Sequence, residues 1–243
     1  MIARGYALII PALNEAESIG ELLKQIPREL FKQVIVVDNG SKDATGQVAR
    51  TAGAEVVVER RRGYGQACLA GLASLRPDTT AVAFMDADLS DNPADLPRLV
   101  QRFEEGQFDL VIGSRVLGNR EPGSLTAMQR FGNWLTTRLI RLIWGISFTD
   151  LGPLRIVSRD ALGRLKLGDR DFGWNVEMQA KAAGLRLRVA EVPVHYRKRR
   201  SGQSKISGTV SNSFRAGIKI LWTIYRCWRT HPRREKAPEP LGA

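Results

Sequence analysis

Ala81-Val-Ala-Phe-Met-Asp-Ala-Asp-Leu-Ser90 is an apolar run of strand type that stops abruptly at two aspartates, Asp86 and Asp88. Ser90, Asp91, Asn92 and Pro93 then turn the chain into a helical pattern over Pro93–Glu105. Strands that read as continuous apolar runs belong to parallel sheets covered on both faces. In such sheets ligands bind just past the carboxyl ends of the strands. Two carboxylates one residue apart at that place can share a hard cation, because Mg²⁺ usually takes one or two carboxylates plus substrate phosphates. The same residues also suit an ordinary acidic turn before a helix, so their meaning depends on the rest of the chain.

Outward from this stretch the chain alternates between two periods. Strand-like runs occur at Tyr6–Pro11, Val34–Asp38, Glu55–Glu59 and Asp109–Ser114, with helical patterns at Glu17–Ile26, Thr45–Ala52 and Gly65–Leu75. The alternation predicts an α/β fold with a mostly parallel central sheet and helices on both faces. Each loop after a strand is polar or small, and these loops are expected to line one edge of the sheet. Further on, Gln129–Trp144 reads as a helix, Leu154–Val157 as a strand, Asp160–Leu165 and Trp174–Ala183 as helices, and Arg186–Pro193 as a strand. A basic loop, Tyr196–Lys205, leads to a last amphipathic helix over Val210–Trp228. Residues 1–229 are expected to form a single domain, and 230–243, with three prolines, a disordered tail.

Charge divides the 243 residues unevenly. Residues 1–113 hold 12 Lys+Arg against 16 Asp+Glu, a net of −4, and residues 114–243 hold 25 against 9, a net of +16. The second half is built to meet anions, whether phosphorylated substrates, an anionic membrane surface or nucleic acid. The last lacks support, because neither aromatic–basic interleaving nor a helix-turn-helix signal is present. Two cysteines and two histidines are too few for a disulfide framework or a zinc site. Nothing resembles a signal peptide, and no run reaches the roughly 18 apolar residues of a membrane span. The expectation is a cytoplasmic protein.

Three further motifs follow strands. Asp38-Asn39-Gly40-Ser41 with Asp43 offers a carboxylate to a base or ribose, Pro11-Ala-Leu-Asn-Glu15 lies beside it, and Gly63-Tyr-Gly65 is a turn able to approach a phosphate. Each alone also suits a strand-to-helix turn. Together, and in this order before Asp86-Ala-Asp88, they resemble the family 2 glycosyltransferases of the GT-A fold. Gly113-Ser114-Arg115, the helix from Gln129 with Arg130, Asp150-Leu-Gly-Pro-Leu-Arg155, Glu191-Val-Pro-Val194 and Arg200-Ser-Gly-Gln-Ser-Lys205 look like the polyprenyl-phosphate (dolichyl-phosphate) mannose or glucose synthase branch. The resemblance spans residues 5–225 or so.

The resemblance implies a role for each matching position. Residues 1–113 would be the nucleotide-sugar-binding half and 114–229 the acceptor- and membrane-facing half. Asp38 would contact base or ribose, with Pro11, Asn14, Glu15, Gly40, Gly65 and Ala87 around the donor. Asp86 and Asp88 would hold Mg²⁺ or Mn²⁺ on the diphosphate, and Arg115 and Arg130 would face donor and acceptor phosphates. Three positions depart from the pattern: Asn39 stands where a second Asp is frequent, Ser90 where Gln is frequent, and Tyr64 where Lys or Leu is. The first two leave the base (uridine or guanosine) and the sugar open, and the third leaves open what its own loop contacts.

The residue types suit the chemistry. A leaving diphosphate needs its charge neutralised by a cation and by arginine. A lipid monophosphate is already largely dianionic at neutral pH, its second pKa being about 6, so it needs cationic residues to hold it rather than a base. Arg115, Arg130 and Lys205 fit that need. A hydroxyl acceptor would require a carboxylate base, for which Asp150 is the candidate. Arginines beside Trp134, Ile140, Leu142, Ile143 and Trp144, and beside Trp222, Tyr225 and Trp228, suit a membrane interface, and core contacts equally. Glu177, opening a helix, is a candidate neighbour of the acceptor or a dipole-compensating residue. The combined expectation is an inverting, metal-dependent transfer of a sugar from a UDP- or GDP-linked donor to a polyprenyl phosphate. The enzyme would be peripheral at the cytoplasmic membrane face, docked through residues 122–148 and 206–229. A membrane partner subunit stays open. The alternatives are transfer to a soluble hydroxyl or saccharide acceptor, an inactive nucleotide-sugar sensor, and a nucleic-acid-binding module.

Overall fold

The computed structural model describes residues 5–199 and 210–231. Lys205 and the tail from residue 232 lie outside the described residues. Seven strands form one sheet: β1 (Tyr6–Ala12), β2 (Gln33–Asp38), β3 (Glu55–Val58), β4 (Ala81–Phe84), β5 (Leu110–Ser114), β6 (Arg155–Ser158) and β7 (Val189–Pro193), in the order β3-β2-β1-β4-β6-β5-β7. Four of the pairings are parallel, and β6 runs antiparallel to both β4 and β5. The expected α/β sheet is therefore mostly parallel. Reversal of β6 has a functional consequence: its first residue, Arg155, starts at the edge where the other six strands end.

The period-two alternation within each strand sorts residues between two cores. Leu8, Ile10, Val34, Val36, Ala81, Ala83, Val111 and Ile156 face one layer, and Ile9, Ile35, Val37, Val82, Phe84, Leu110, Ile112 and Val157 the other. The first layer is covered by α1 (Ala16–Gln25), α2 (Thr45–Thr51) and α4 (Leu96–Glu105). The helix expected from Pro93 begins with a 3₁₀ turn, Pro93–Asp95, in which the Asn92 side chain accepts the Ala94 N–H. The second layer is covered by α3 (Tyr64–Ala73), α5 (Ala127–Trp144), α6 (Arg159–Leu165) and α7 (Trp174–Gly184), with α8 (Val210–Thr230) outermost.

Nine of the eleven residues of α7 are buried, Trp174 completely. A helix buried on all sides lies inside the fold rather than over it. It nonetheless carries Glu177, whose oxygens accept from the amides of Gly168 (3.0 Å) and Asp169 (2.7 Å) and pair with Lys181 (2.9 Å) and Arg226 (3.1 Å). Glu177 is thus a buried structural anchor that ties α7 to α8. Asp169 extends the tie through Lys219 at 3.2 Å. Replacing Glu177 with Ala strands Lys181 and two amides in a buried place, at a cost of about 3 kcal/mol or more. Chemical denaturation of Glu177→Ala is expected to show that loss together with faster proteolysis within α8.

Candidate active site

The carboxyl ends of six strands and the start of β6 open onto a cleft of about 930 Å³. At one end its wall is polar, with Glu15, Asn39, Arg62, Asp86, Asp88 and Arg115. At the other it is apolar, with Met128, Phe131 and Leu135 of α5 facing Ile218 and Leu221 of α8. Beyond the rim the apolar surface continues. Met128, Phe131, Trp134, Ile218, Leu221, Trp222, Tyr225 and Trp228 are all more than 40% exposed. The stripe expected at the membrane interface divides in two, because Ile140 and Trp144 are core residues while Trp134 and Leu142 face outward.

Three carboxylates gather after β4. Asp88 is fixed by Ser90, whose amide (2.9 Å) and hydroxyl (2.5 Å) both donate to Oδ1. Its Oδ2 takes Arg199 at 2.6 Å, and the same guanidinium lies 3.6 Å from Glu15. Leu89 between them is buried with φ of 62°. A left-handed leucine costs about 1–3 kcal/mol and persists where surroundings over-determine it, as at functional turns. Asp91 accepts the Asp86 amide through Oδ2 at 3.3 Å, and Oδ1 of Asp86 and of Asp91 are buried with no hydrogen-bond partner. Burial, reinforced by the charges of the neighbouring aspartates, holds both carboxyls well above the ordinary carboxylate range. Crowded carboxylates with an unsatisfied buried oxygen are a donor set suited to a hard divalent cation. No group of three or more His, Cys, Asp or Glu residues with metal-binding geometry occurs among the described residues. The fit is therefore to a cation held by Asp86 and Asp88 and completed by substrate oxygens.

Arg115 leaves the end of β5 over a turn closed by Ser114, whose Oγ accepts from the Val116 and Leu117 amides and meets the Thr149 hydroxyl at 2.7 Å. Asp150 grips it from below: Nε to Oδ2 at 2.7 Å, Nη2 to Oδ1 at 2.8 Å, and the backbone amide to Oδ2 at 2.8 Å. The guanidinium also lies 4.9 Å from the ring centre of Tyr196. Burial opposes the charge on Asp150, yet the Arg115 contacts prevail and hold its carboxyl below the ordinary value. Asp150 has no solvent exposure, is off the cleft wall, and has both oxygens engaged. Its expected place as a base in contact with substrate is corrected: it is a positioning residue for Arg115.

The remaining expectations divide. Pro11, Glu15, Asp86, Ala87, Asp88 and Arg115 line the cleft. Asn14 and Gly40 lie off its wall. Asn14, with φ of 53°, stitches two loops: its side-chain oxygen accepts the Lys42 amide, and its own backbone amide donates to the Ser41 hydroxyl oxygen. Asp38 is half-buried at the margin, accepting the Ser41 amide, and the wall residue there is Asn39. Asn39 donates to the carbonyls of Glu59 and Arg61 and accepts the Gly63 amide, so it clips the loop that carries Arg62 into the cleft. Gly65 does not approach a phosphate: it is buried under the Asp169 carbonyl, which a Cβ would meet at 2.0 Å. Arg130 is exposed on α5 and off the cleft wall. Lys205 lies outside the described residues. Arg62 and Arg199 were not singled out from the sequence, because each sits in a run of basic residues indistinguishable from a solvated face.

The family model for glycosyl transferase family 2 matches residues 7–166. An uncharacterized glycosyltransferase of Mycobacterium tuberculosis is 38% identical over 226 residues, covering 92% of this chain and 99% of that protein. The undecaprenyl-phosphate mannosyltransferase of Micrococcus luteus is 32% identical over 234 residues, covering 88% and 94%. Among solved structures, glucosyl-3-phosphoglycerate synthase from M. tuberculosis, in complex with Mn²⁺, UDP and glucosyl-3-phosphoglycerate, superposes with a TM-score of 0.75 at 22% identity, covering 96% of this chain and 82% of that one. The fold is thus that of the GT-A glycosyltransferases. Because the Asp169 carbonyl lies where a Cβ would sit, Gly65→Ala is expected to lower the melting temperature by several degrees, since overpacking costs about 1–3 kcal/mol. An unchanged melting curve contradicts the close-approach reading.

Proposed function

The chain belongs to glycosyl transferase family 2, and from that premise we propose that it moves a sugar from a UDP- or GDP-linked donor to a polyprenyl phosphate. The observation that carries the acceptor class is the continuity of one cleft. The carboxylates and Arg115 at its polar end are joined to an apolar passage between α5 and α8 that opens onto exposed aromatic residues. A soluble phosphorylated acceptor needs the first half of that arrangement and has no use for the second. The name of the M. luteus relative supports the same class.

Asp86 and Asp88 would hold Mg²⁺ or Mn²⁺, and a bound cation supplies charge neutralisation to the departing diphosphate. Nucleotide contacts would come from the loops after β1, β2 and β3, with Pro11, Glu15, Asn39 and Arg62 on the wall and Asp38 at its margin. Arg199 spans Glu15 and Asp88, and is positioned to exchange those carboxylates for donor phosphate. Arg115 presents a guanidinium already charged and oriented by Asp150, suited to hold a phosphate dianion in line. In the transfer, an acceptor phosphate oxygen forms a bond to the anomeric carbon. The bond from that carbon to the donor diphosphate breaks, the nucleoside diphosphate leaves with the electron pair, and the configuration inverts. No proton has to be removed, which agrees with an Asp150 that is committed elsewhere.

The apolar rim, with Arg138, Arg141 and Arg229 among its neighbours in sequence, suits contact with an anionic bilayer surface. No helix among the described residues is long and apolar enough to cross a membrane.

The reading is tested with UDP- and GDP-sugars, Mn²⁺ or EDTA, and either a short polyprenyl phosphate or phosphoglycerate as acceptor. Transfer to the lipid phosphate alone, abolished by EDTA, is the expected result, and transfer to phosphoglycerate alone overturns it. Asp88→Ala is expected to keep a native melting curve while losing about a hundredfold or more of metal-dependent turnover, the scale of a lost electrostatic contact in the transition state. An active Asp88→Ala enzyme removes the cation from this site.

A further inference from the structure

The turn at residues 149–152, on which Asp150 sits, is held in an unusual way. Its backbone groups bond to side chains drawn from four different elements. From β7, Glu191 accepts the amides of Thr149 (3.0 and 2.9 Å) and Asp150 (3.1 Å). From α7, the Gln179 amide donates to the Asp150 carbonyl at 2.9 Å, and Asn175 donates to the Leu151 carbonyl at 3.4 Å. From β6, the buried Arg155 donates to the carbonyls of Leu151 (3.3 Å) and Gly152. From α5, Asn133 donates to the Thr149 carbonyl at 3.1 Å and accepts the Leu151 amide at 2.8 Å. Gly152 completes the enclosure, since a Cβ there would lie 2.4 Å from the Gly113 carbonyl oxygen.

This arrangement exceeds what a turn needs. Backbone groups of a buried turn must be paired, but water or local turn bonds ordinarily suffice. Arg155 is especially costly. It is a guanidinium with no solvent exposure, no ion pair among the described residues and an unpartnered Nε, spent on the carbonyl oxygens of Leu151, Gly152 and Asn175, the Gln179 side-chain oxygen and the Met178 sulfur. What the cage fixes is Asp150, and what Asp150 fixes is Arg115, on three bonds of 2.8 Å or less. Four members of the cage, Arg155, Asn175, Gln179 and Glu191, come from the sheet and from the buried α7. Asn133 differs, because it projects from α5, the helix that presents Met128, Phe131 and Trp134 to the acceptor end.

We infer that Asn133 is a positioning residue that couples the seating of the acceptor-facing helix α5 to the guanidinium of Arg115. A displacement of α5 pulls on the Thr149 carbonyl and the Leu151 amide, on either side of Asp150, and misaligns the arginine. Correct seating of α5 over an acceptor restores the alignment. The inference rests on the reading of Arg115 as the acceptor-phosphate residue and adds a coupling to it.

The test is a double-mutant cycle between Asn133→Ala and Arg115→Lys, read as KM for polyprenyl phosphate and KM for the nucleotide-sugar. Misplacing a positioned group by a fraction of its contact distance costs about ten- to a hundredfold, so Asn133→Ala is expected to raise acceptor KM about tenfold and leave donor KM within about twofold. In the Arg115→Lys background the same substitution is expected to cost less than about twofold, since coupled residues are non-additive. An equal loss in both backgrounds overturns the coupling while leaving Arg115 in its role. An Arg115→Lys enzyme with unchanged acceptor KM overturns the role of Arg115 and the coupling together. If Asn133→Ala does not fold, Asn133→Asp takes its place: it accepts the Leu151 amide but cannot donate to Thr149. Its acceptor KM is expected to rise and its donor KM to stay, and parallel rises in both contradict the inference.

Discussion

Asp150 is charged where water does not reach it, and it keeps that charge because Arg115 supplies two guanidinium contacts and a backbone amide. Neither partner tolerates the loss of the other, since a buried ion pair broken on one side leaves an uncompensated charge. The pair also needs its backbone held, and β5, β6, β7, α5 and α7 all contribute to that. The antiparallel insertion of β6 between β4 and β5 makes this possible. It brings residues 149–154 back to the edge where β4 and β5 end, so that the Asp150 turn lies between the aspartates of one loop and the arginine of another.

Electrostatics then explains the order of the site. The loop after β4 concentrates three carboxylates, two of them with an unsatisfied buried oxygen, and the loops after β5 and β7 bring Arg115 and Arg199 toward them. A cleft with excess negative charge at its floor and arginines on its wall suits a substrate that arrives with a cation and carries phosphates of its own. The uneven charge of the two halves of the chain is the sequence-level trace of that division.

Much of this was legible in the sequence. The seven strands and the eight α-helices among the described residues fall within a few residues of where apolar patterning predicted them, because burial of apolar side chains leaves a pattern in the sequence. Asp86 and Asp88 were legible because they interrupt such a period. Residues whose work is to bond another segment's backbone left no such trace. Asn39 looked like a departure from a family pattern and is a clip on the Arg60–Gly63 loop. Gly65 looked like a phosphate turn and is a place where the Asp169 backbone passes at close quarters. Asn133 and Gln179 are single polar residues on otherwise ordinary elements, Glu191 stood out only as part of the Glu191-Val-Pro-Val194 motif, and only the tertiary fold brings the three around one turn. Arg130, by contrast, matched a motif by position, but the phase of α5 turns it to solvent.

The central claim is that one cleft joins a phosphate-handling end to a passage for a lipid chain. Transfer rates to a polyprenyl phosphate and to the polyprenol of the same chain length, measured with one donor and Mn²⁺, test it most directly. Transfer to the phosphate and none to the alcohol is the predicted result, because Arg115 is set to bind a charge and Asp150 is committed to Arg115 rather than to deprotonating a hydroxyl. Transfer to the alcohol at a comparable rate contradicts the account.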